Sequence, residues 1–254
     1  MTYPFADKPD LDMARAALEG DDAARDRLID TYKDVLFTCV LRLTGDAERA
    51  ESALVHGLSG WFHDVRRVLA SHGVRGSLYR MALREARKAS KEVRPDAMQS
   101  PKAVAEQSAE LTASGATVEP FDRSSQLQWV LMTLPFRSRE LLVLIDVMGM
   151  TDEQAAFVLG MRPSDLPGAL ARAARDLLDA YEKYGPPHPP SSVIQESKLR
   201  SDLRAMGWGP APWHLSSSVR QALLQDRGRG RRRTTVAVVA LILLAVLVIL
   251  WVLL

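Results

Sequence analysis

The last nineteen residues, 236–254, constrain the architecture of this chain more than any other stretch of its sequence. They contain no charged or polar side chain other than the indole of Trp251. A helix of this length spans about 28 Å, at a rise of about 1.5 Å per residue, and this matches the hydrocarbon thickness of a bilayer. The sequence therefore predicts a transmembrane helix over residues 234–254, preceded by a body of about 235 residues.

Five arginines stand just before this apolar run, and they change the meaning of the chain's charge. Setting them aside lowers the formal net charge from +2 to −3, so the basic isoelectric point does not indicate a nucleic-acid partner. Arginines beside a transmembrane helix favour the cytoplasmic side and attract anionic lipids. We expect a topological stop, with specific lipid recognition as the alternative, at Arg227, Arg229, Arg231, Arg232 and Arg233.

The first residues and the cysteine content predict a cytoplasmic body. No apolar stretch follows Met1, so we expect no signal peptide. The one cysteine, Cys39, excludes an intramolecular disulfide and fits a reducing compartment. We therefore expect a single-pass protein on the cytoplasmic face of the cell membrane, with its N-terminus in the cytoplasm.

Apolar residues at helical spacing predict an all-α first domain over residues 11–92. Its helices are expected to break at Gly45, where Asp46 can cap the next helix, and again at Gly73. Residues 93–125 are poor in large apolar side chains and rich in Pro, Ser and Ala. They predict a linker between two domains that move independently.

The second domain is predicted over residues 126–184 and has the pattern of a helix-turn-helix. Thr151 and Gln154 form a capping box at the start of one helix, and Gly160 ends it. A Pro-rich spacer and basic juxtamembrane segment follow over residues 185–233. Within that segment, amphipathic pieces are expected at about residues 193–206 and 216–224.

Two stretches in a fixed order carry a family resemblance. Residues 13–46 contain MARAALEGDDAA, LIDTY and LRLTGD, and residues 134–160 read LPFRSRELLVLIDVMGMTDEQAAFVLG. They resemble region 2 and region 4 of bacterial extracytoplasmic-function sigma factors, which belong to the sigma-70 family. The resemblance covers roughly residues 11–183, and it implies a subunit that binds RNA polymerase core and directs it to promoter DNA.

The resemblance implies that the second helix of region 2 docks on the polymerase through acidic and glutamine side chains. The corresponding residues in this chain are Glu51, Ser52, Val55 and His56, and Glu51 alone keeps that chemistry. The other three replacements remove most of the complementarity to a basic, hydrogen-bonding partner.

The next helix corresponds to the surface that melts promoter DNA in the family. Between residues 75 and 94 it carries seven basic residues against two acidic ones, a local charge of +5 that could neutralise several phosphates. A solvated basic helix face is the alternative interpretation. The candidate DNA-binding residues here are Arg75, Tyr79, Arg80, Arg84, Arg87, Lys88 and Lys91, with Tyr79 as the candidate for stacking on an exposed base.

The recognition helix departs furthest from the family. Asp165, Pro167, Gly168 and Ala169 stand where the family places side chains that donate hydrogen bonds to base edges and phosphates. Pro167 is tolerated if the helix begins at about Ser164 and breaks the helix if it begins earlier. Residues 151–184 carry a net charge of −2. The remaining candidates for DNA contact are Arg162, Ser164, Arg172 and Arg175.

No residue pattern supports an enzyme, a metal site or a cofactor. The five histidines and Cys39 are scattered, and no phosphate-binding glycine loop or nucleophile motif occurs. We therefore expect a sigma-factor-like transcription protein whose partners are RNA polymerase core, promoter DNA, the membrane and a regulator such as an anti-sigma protein. Membrane-bound anti-sigma partners also carry arginines before a final apolar helix, so this chain resembles a sigma factor with its own anchor. The alternative is a sigma-fold interaction module that regulates a partner without initiating transcription.

Overall fold

The computed structural model describes residue 5 and residues 8–90, 123–185, 195–207 and 209–225. Regular structure in these ranges is helical, which confirms the all-α prediction for the part of the chain described. No helix within these ranges is long and apolar enough to cross a bilayer. The predicted membrane helix at 234–254, its five flanking arginines, Lys91 and most of the linker lie outside them.

Four helices form the first domain, and their ends follow the predicted breaks. Asp21 caps the second helix by accepting hydrogen bonds from the amides of Ala23 and Ala24. Gly45 ends that helix in the left-handed region, at φ 72°, and Asp46 caps the third helix. The helices are α1 (Lys8–Leu18), α2 (Asp22–Thr44), α3 (Ala47–His72) and α4 (Val74–Ser90).

The second domain contains the predicted helix-turn-helix. The capping box of Thr151 and Gln154 is present, and Gly160 ends its helix at φ 65°. Because the last helix of the domain begins at Leu166, Pro167 falls in its first turn and is tolerated. The elements are α5 (Arg123–Thr133), α6 (Phe136–Leu142), a π-helical turn (Val143–Val147), α7 (Asp152–Leu159), a 3₁₀ turn (Pro163–Asp165) and α8 (Leu166–Tyr184).

The two domains share one hydrophobic core, which differs from the independent placement that the linker predicts. Arg139 on α6 is 6% exposed and donates hydrogen bonds to the carbonyls of Leu43 (2.7 Å), Met132 (2.7 Å) and Leu134 (3.1 Å). Leu43 belongs to α2, so this guanidinium ties the first domain to the second. Burial lowers the pKa of Arg139 to about 10, so the side chain remains charged at neutral pH.

Residues 195–207 and 209–225, here called the C-terminal segment, form two amphipathic helices that confirm the two short pieces predicted in this region. The first is α9 (Glu196–Ala205), and the second, α10, spans residues 215–225. Leu199 and Leu203 are fully buried where α9 packs against the second domain. Leu215, Val219 and Leu223, four residues apart, form the buried stripe of α10. The segment is therefore part of the folded body.

We predict that Arg139→Met destabilises the protein by about 3 kcal/mol, because the buried carbonyls of Met132 and Leu134 lose the donor that Arg139 supplies and that of Leu43 is left with Ser90. In a chain of this size, such a loss lowers the melting temperature by roughly 6–12 °C. Thermal unfolding measured by circular dichroism checks this. Arg175→Met is the matched control, because Arg175 is exposed and bonds only within its own helix in the described structure. Equal melting temperatures for the two variants would contradict the role of Arg139.

Candidate polymerase and nucleic-acid interface

The four residues predicted to face the polymerase lie together on α3. Ser52 and His56 are exposed, while Val55 is partly buried and packs against the core. Glu51 is half-buried, and its Oε1 lies 2.7 Å from Nε2 of His214 in the C-terminal segment. The one acidic member of this surface is therefore already engaged within the chain. That polymerase binds here stays a prediction.

Two arginines of α4 reach across to the second domain. Arg80 donates a hydrogen bond to the Phe157 carbonyl, and its guanidinium lies 5.1 Å from the centre of that ring. Arg87 donates to Glu140 Oε1 at 2.6 Å. The Glu140 side chain has no exposed surface, whereas Arg87 is 54% exposed. Two candidate DNA-binding residues therefore also hold the domains together.

Arg84 and Lys88 bind within their own helix. Both donate hydrogen bonds to Glu85, at 2.8 Å and 3.0 Å. Burial would raise the pKa of Glu85, but the hydrogen bonds from Arg84 and Lys88 outweigh burial and the pKa is lowered. Both cations remain largely exposed and can contact an approaching anion. Arg80, Arg84, Arg87 and Lys88 are here called the basic face of α4.

Tyr79, the sequence-based candidate for stacking on a base, is buried in the structure. Tyr79 is 7% exposed and stacks on Phe5 with ring centres 6.5 Å apart, and burial raises the pKa of its hydroxyl. An exposed base does not reach this ring in the described arrangement. Arg75 lies beside Tyr32, with its guanidinium 5.9 Å from the ring centre.

At the recognition helix, the candidate residues are exposed but poorly equipped to bind DNA. Arg162, Ser164 and Arg172 lie on the surface. Ser164 donates its hydroxyl hydrogen bond to Asp165, which is also exposed. Arg175 is exposed and bonds the carbonyl of Ala171 within its own helix. The carboxylate of Asp165 at the start of α8 would repel phosphate, as the sequence indicates.

A groove between the two domains collects arginines from both. It is lined by the basic face residues Arg80, Arg84 and Arg87, by Arg137 of α6, and by Gly160. Arg137 donates to Glu140 at 3.3 Å, so Glu140 is the acidic group that Arg87 and Arg137 share. Such a groove suits a phosphate group, provided that Glu140 keeps a partner. Among the described residues, no group of His, Cys, Asp and Glu side chains is placed to hold a metal ion.

Sequence reasoning missed a row of residues along α2 that binds the C-terminal segment. The row consists of positions four apart, which lie on one side of a helix. The segment crosses it in the antiparallel direction. The α2 row is Asp26, Asp30, Asp34, Thr38 and Arg42, and its hydrogen-bond partners in the same order are Arg220, Ser216, Ala211, Gly209 and Met206.

A second contact of the segment lies in the other domain, at the π-helical turn. Asp146 is 2% exposed and accepts hydrogen bonds from Arg200 (2.8 and 3.0 Å) and Arg204 (2.9 Å) of α9. The four-residue spacing of Asp26, Asp30 and Asp34 on one side of α2 is the sequence signal for a binding surface there, but it does not identify the segment as the partner.

Comparison with known proteins identifies the fold. No family model and no curated protein matches the sequence. The structure is similar to a solved structure of CnrH in complex with the cytosolic domain of CnrY, at 20% identity and a TM-score of 0.50. The match covers 68% of this chain and 97% of that chain. CnrH is an extracytoplasmic-function sigma factor, and this chain has a similar fold.

We predict that Arg87→Glu loosens the packing of the two domains, because it sets a carboxylate beside the buried Glu140. Cys39 can report this opening, because its thiol is buried and reacts only when it is exposed. Burial, with a further contribution from Glu140, raises the pKa of this thiol to about 12. Labelling of Cys39 by a maleimide should accelerate about tenfold for each ~1.4 kcal/mol by which the free energy of opening the domain interface is lowered. Arg172→Glu, at an exposed site on α8, makes the same charge change and should label at the wild-type rate. Indistinguishable rates for all three chains would argue against this interface.

Proposed function

We propose that this chain is a sigma-like transcription initiation protein that binds RNA polymerase core and promoter DNA. The observation that carries the proposal is the basic face of α4 on a sigma-like fold. Arg84, Arg87 and Lys88 are largely exposed, and Arg80 beside them is partly buried. Cations in a row along a helix suit the phosphate backbone of DNA. A fold alone would not support this function, because one fold serves many activities.

The polymerase-docking part of the proposal rests on α3. Ser52 and His56 are exposed next to Glu51, so a polar surface is available to a protein partner. The proposal includes attachment to the cytoplasmic face of the membrane by the apolar residues 234–254. A tether of this kind would keep the protein near the membrane until it is needed on DNA.

The proposal also includes a regulatory partner. CnrH, whose fold this chain shares, was solved in complex with the cytosolic domain of CnrY. We propose that activity here is likewise controlled by a protein element that binds the sigma-like body.

A second candidate function is an interaction module that never initiates transcription. It is favoured by the engagement of Glu51, Arg80 and Arg87 within the chain and by the acidic Asp165 at the recognition helix. Under this function, the sigma-like body would bind a regulator or another transcription protein and would leave DNA unbound.

We predict that the full chain, held in nanodiscs, binds RNA polymerase core and supports promoter-dependent run-off transcription. Arg84→Gln/Lys88→Gln should weaken DNA binding by the complex several-fold and lower the slope of log affinity against log salt by about 1–2, since up to two phosphate contacts are lost. Arg15→Gln/Arg27→Gln, at exposed sites on α1 and α2, is the control for charge.

The interaction module would be favoured if core association were absent, even from chains whose C-terminal segment has been displaced from α2. Stable core binding with specific transcripts would exclude it.

A further inference from the structure

The C-terminal segment binds both domains at once. Its first helix, α9, is anchored to the second domain at Asp146, which is buried in the π-helical turn. Its second half runs along the α2 row of the first domain. The segment therefore bridges the domains from outside, in addition to the direct contacts of Arg80 and Arg87.

Charge complementarity makes these contacts specific. The segment supplies Arg200, Arg204 and Arg220, and the surfaces beneath it supply Asp146 and Asp26. At Asp30, hydrogen bonds from Lys33 and Ser216 lower the pKa of the carboxyl. Thr38, which is 1% exposed, both donates to the Gly209 carbonyl (3.1 Å) and accepts from its amide (3.3 Å).

The segment also occupies one edge of the α3 surface. His214, which precedes α10, lies against Glu51, the acidic residue among the four predicted to face polymerase. Trp213 beside it is 90% exposed and adds bulk next to that surface. A protein docking on Ser52 and His56 would meet the segment at Glu51.

We propose that the C-terminal segment is an internal inhibitor, which holds the two domains closed and obstructs the polymerase-facing edge of α3 until it is displaced. This inference rests on the proposed function, and it identifies the element that regulates the sigma-like body as part of the same chain. Displacement frees Glu51 and removes the bridge between the domains. The basic face of α4 is then able to exchange Phe157 and Glu140 for phosphates.

The test compares three full-length chains in nanodiscs. The release variant, Arg200→Glu/Arg204→Glu/Arg220→Glu, places carboxylates against Asp146 and Asp26. The control, Arg15→Glu/Arg27→Glu/Lys183→Glu, makes the same change of net charge at exposed sites that make no described contact with the segment. Hydrogen exchange over residues 22–44 and 195–225 measures displacement, and titration with RNA polymerase core measures binding.

We expect faster exchange in the release variant alone, together with core affinity at least about tenfold higher than for the wild type and the control. When only a fraction of the molecules is in the binding-competent state, the apparent affinity is reduced by that fraction. If charge reversal leaves exchange unchanged, Leu215→Asp/Val219→Asp removes the apolar anchors of α10 and is judged by the same two measurements.

If exchange shows the segment displaced in either variant and core affinity still equals that of the wild type and the control, the internal inhibitor is overturned and the proposed function stands. A released segment, seen by exchange, with no core binding by any chain would overturn both. If the segment stays protected from exchange in both variants designed to displace it and core affinity still rises, the inhibitor is also overturned, because binding would not depend on displacement.

Discussion

Arg139 and Glu140 are neighbouring charges with almost no exposed surface, and both draw partners from the first domain. Arg139 reaches the Leu43 carbonyl at the end of α2, and Glu140 accepts a hydrogen bond from Arg87 of α4. Burying a charge is costly unless it is paired and hydrogen-bonded. If the second domain separated and both side chains stayed buried away from water, each would lose its partner in the first domain and would destabilise the second. The close packing of the domains, and with it the groove and the bridging segment, depends on this pair.

Two side chains that hold the domains together are also candidates for DNA contact. Arg87 bonds Glu140 through Nη2 when the domains are closed, and turning fully to a phosphate would leave that carboxylate with Arg137. Arg80 faces the same choice at Phe157. The proposed binding of DNA along α4 would therefore compete with tight packing of the second domain for the guanidinium groups of Arg80 and Arg87. A protein built in this way can couple domain arrangement to nucleic-acid binding without a separate sensor.

Local sequence signals predicted local structure well. The caps at Asp46 and Thr151, the turn at Gly160 and the amphipathic helices of the C-terminal segment were all readable, because each depends on residues within one or two turns. The contacts that bring these elements together could not be predicted from the sequence. The contacts of Arg139 with Leu43 and of Asp146 with Arg200 join residues far apart in sequence, and nothing in a single chain pairs them. The burial of Tyr79 has the same origin, since its cover, Phe5, lies on a distant stretch.

The antiparallel course of the C-terminal segment along α2 determines how it would respond to mechanical load. Its last hydrogen bond to the α2 row, between Arg220 and Asp26, is exposed and lies nearest in sequence to the apolar tail, whereas Thr38, which bonds Gly209 further back, is buried. A pull on the tail directed away from α2 would load these hydrogen bonds one after another, as in peeling, whereas a pull along α2 would load them together, as in shear. Bonds broken singly yield at low force, so with the tail anchored as proposed, a force directed away from α2 would detach α10 while α9 stays in place.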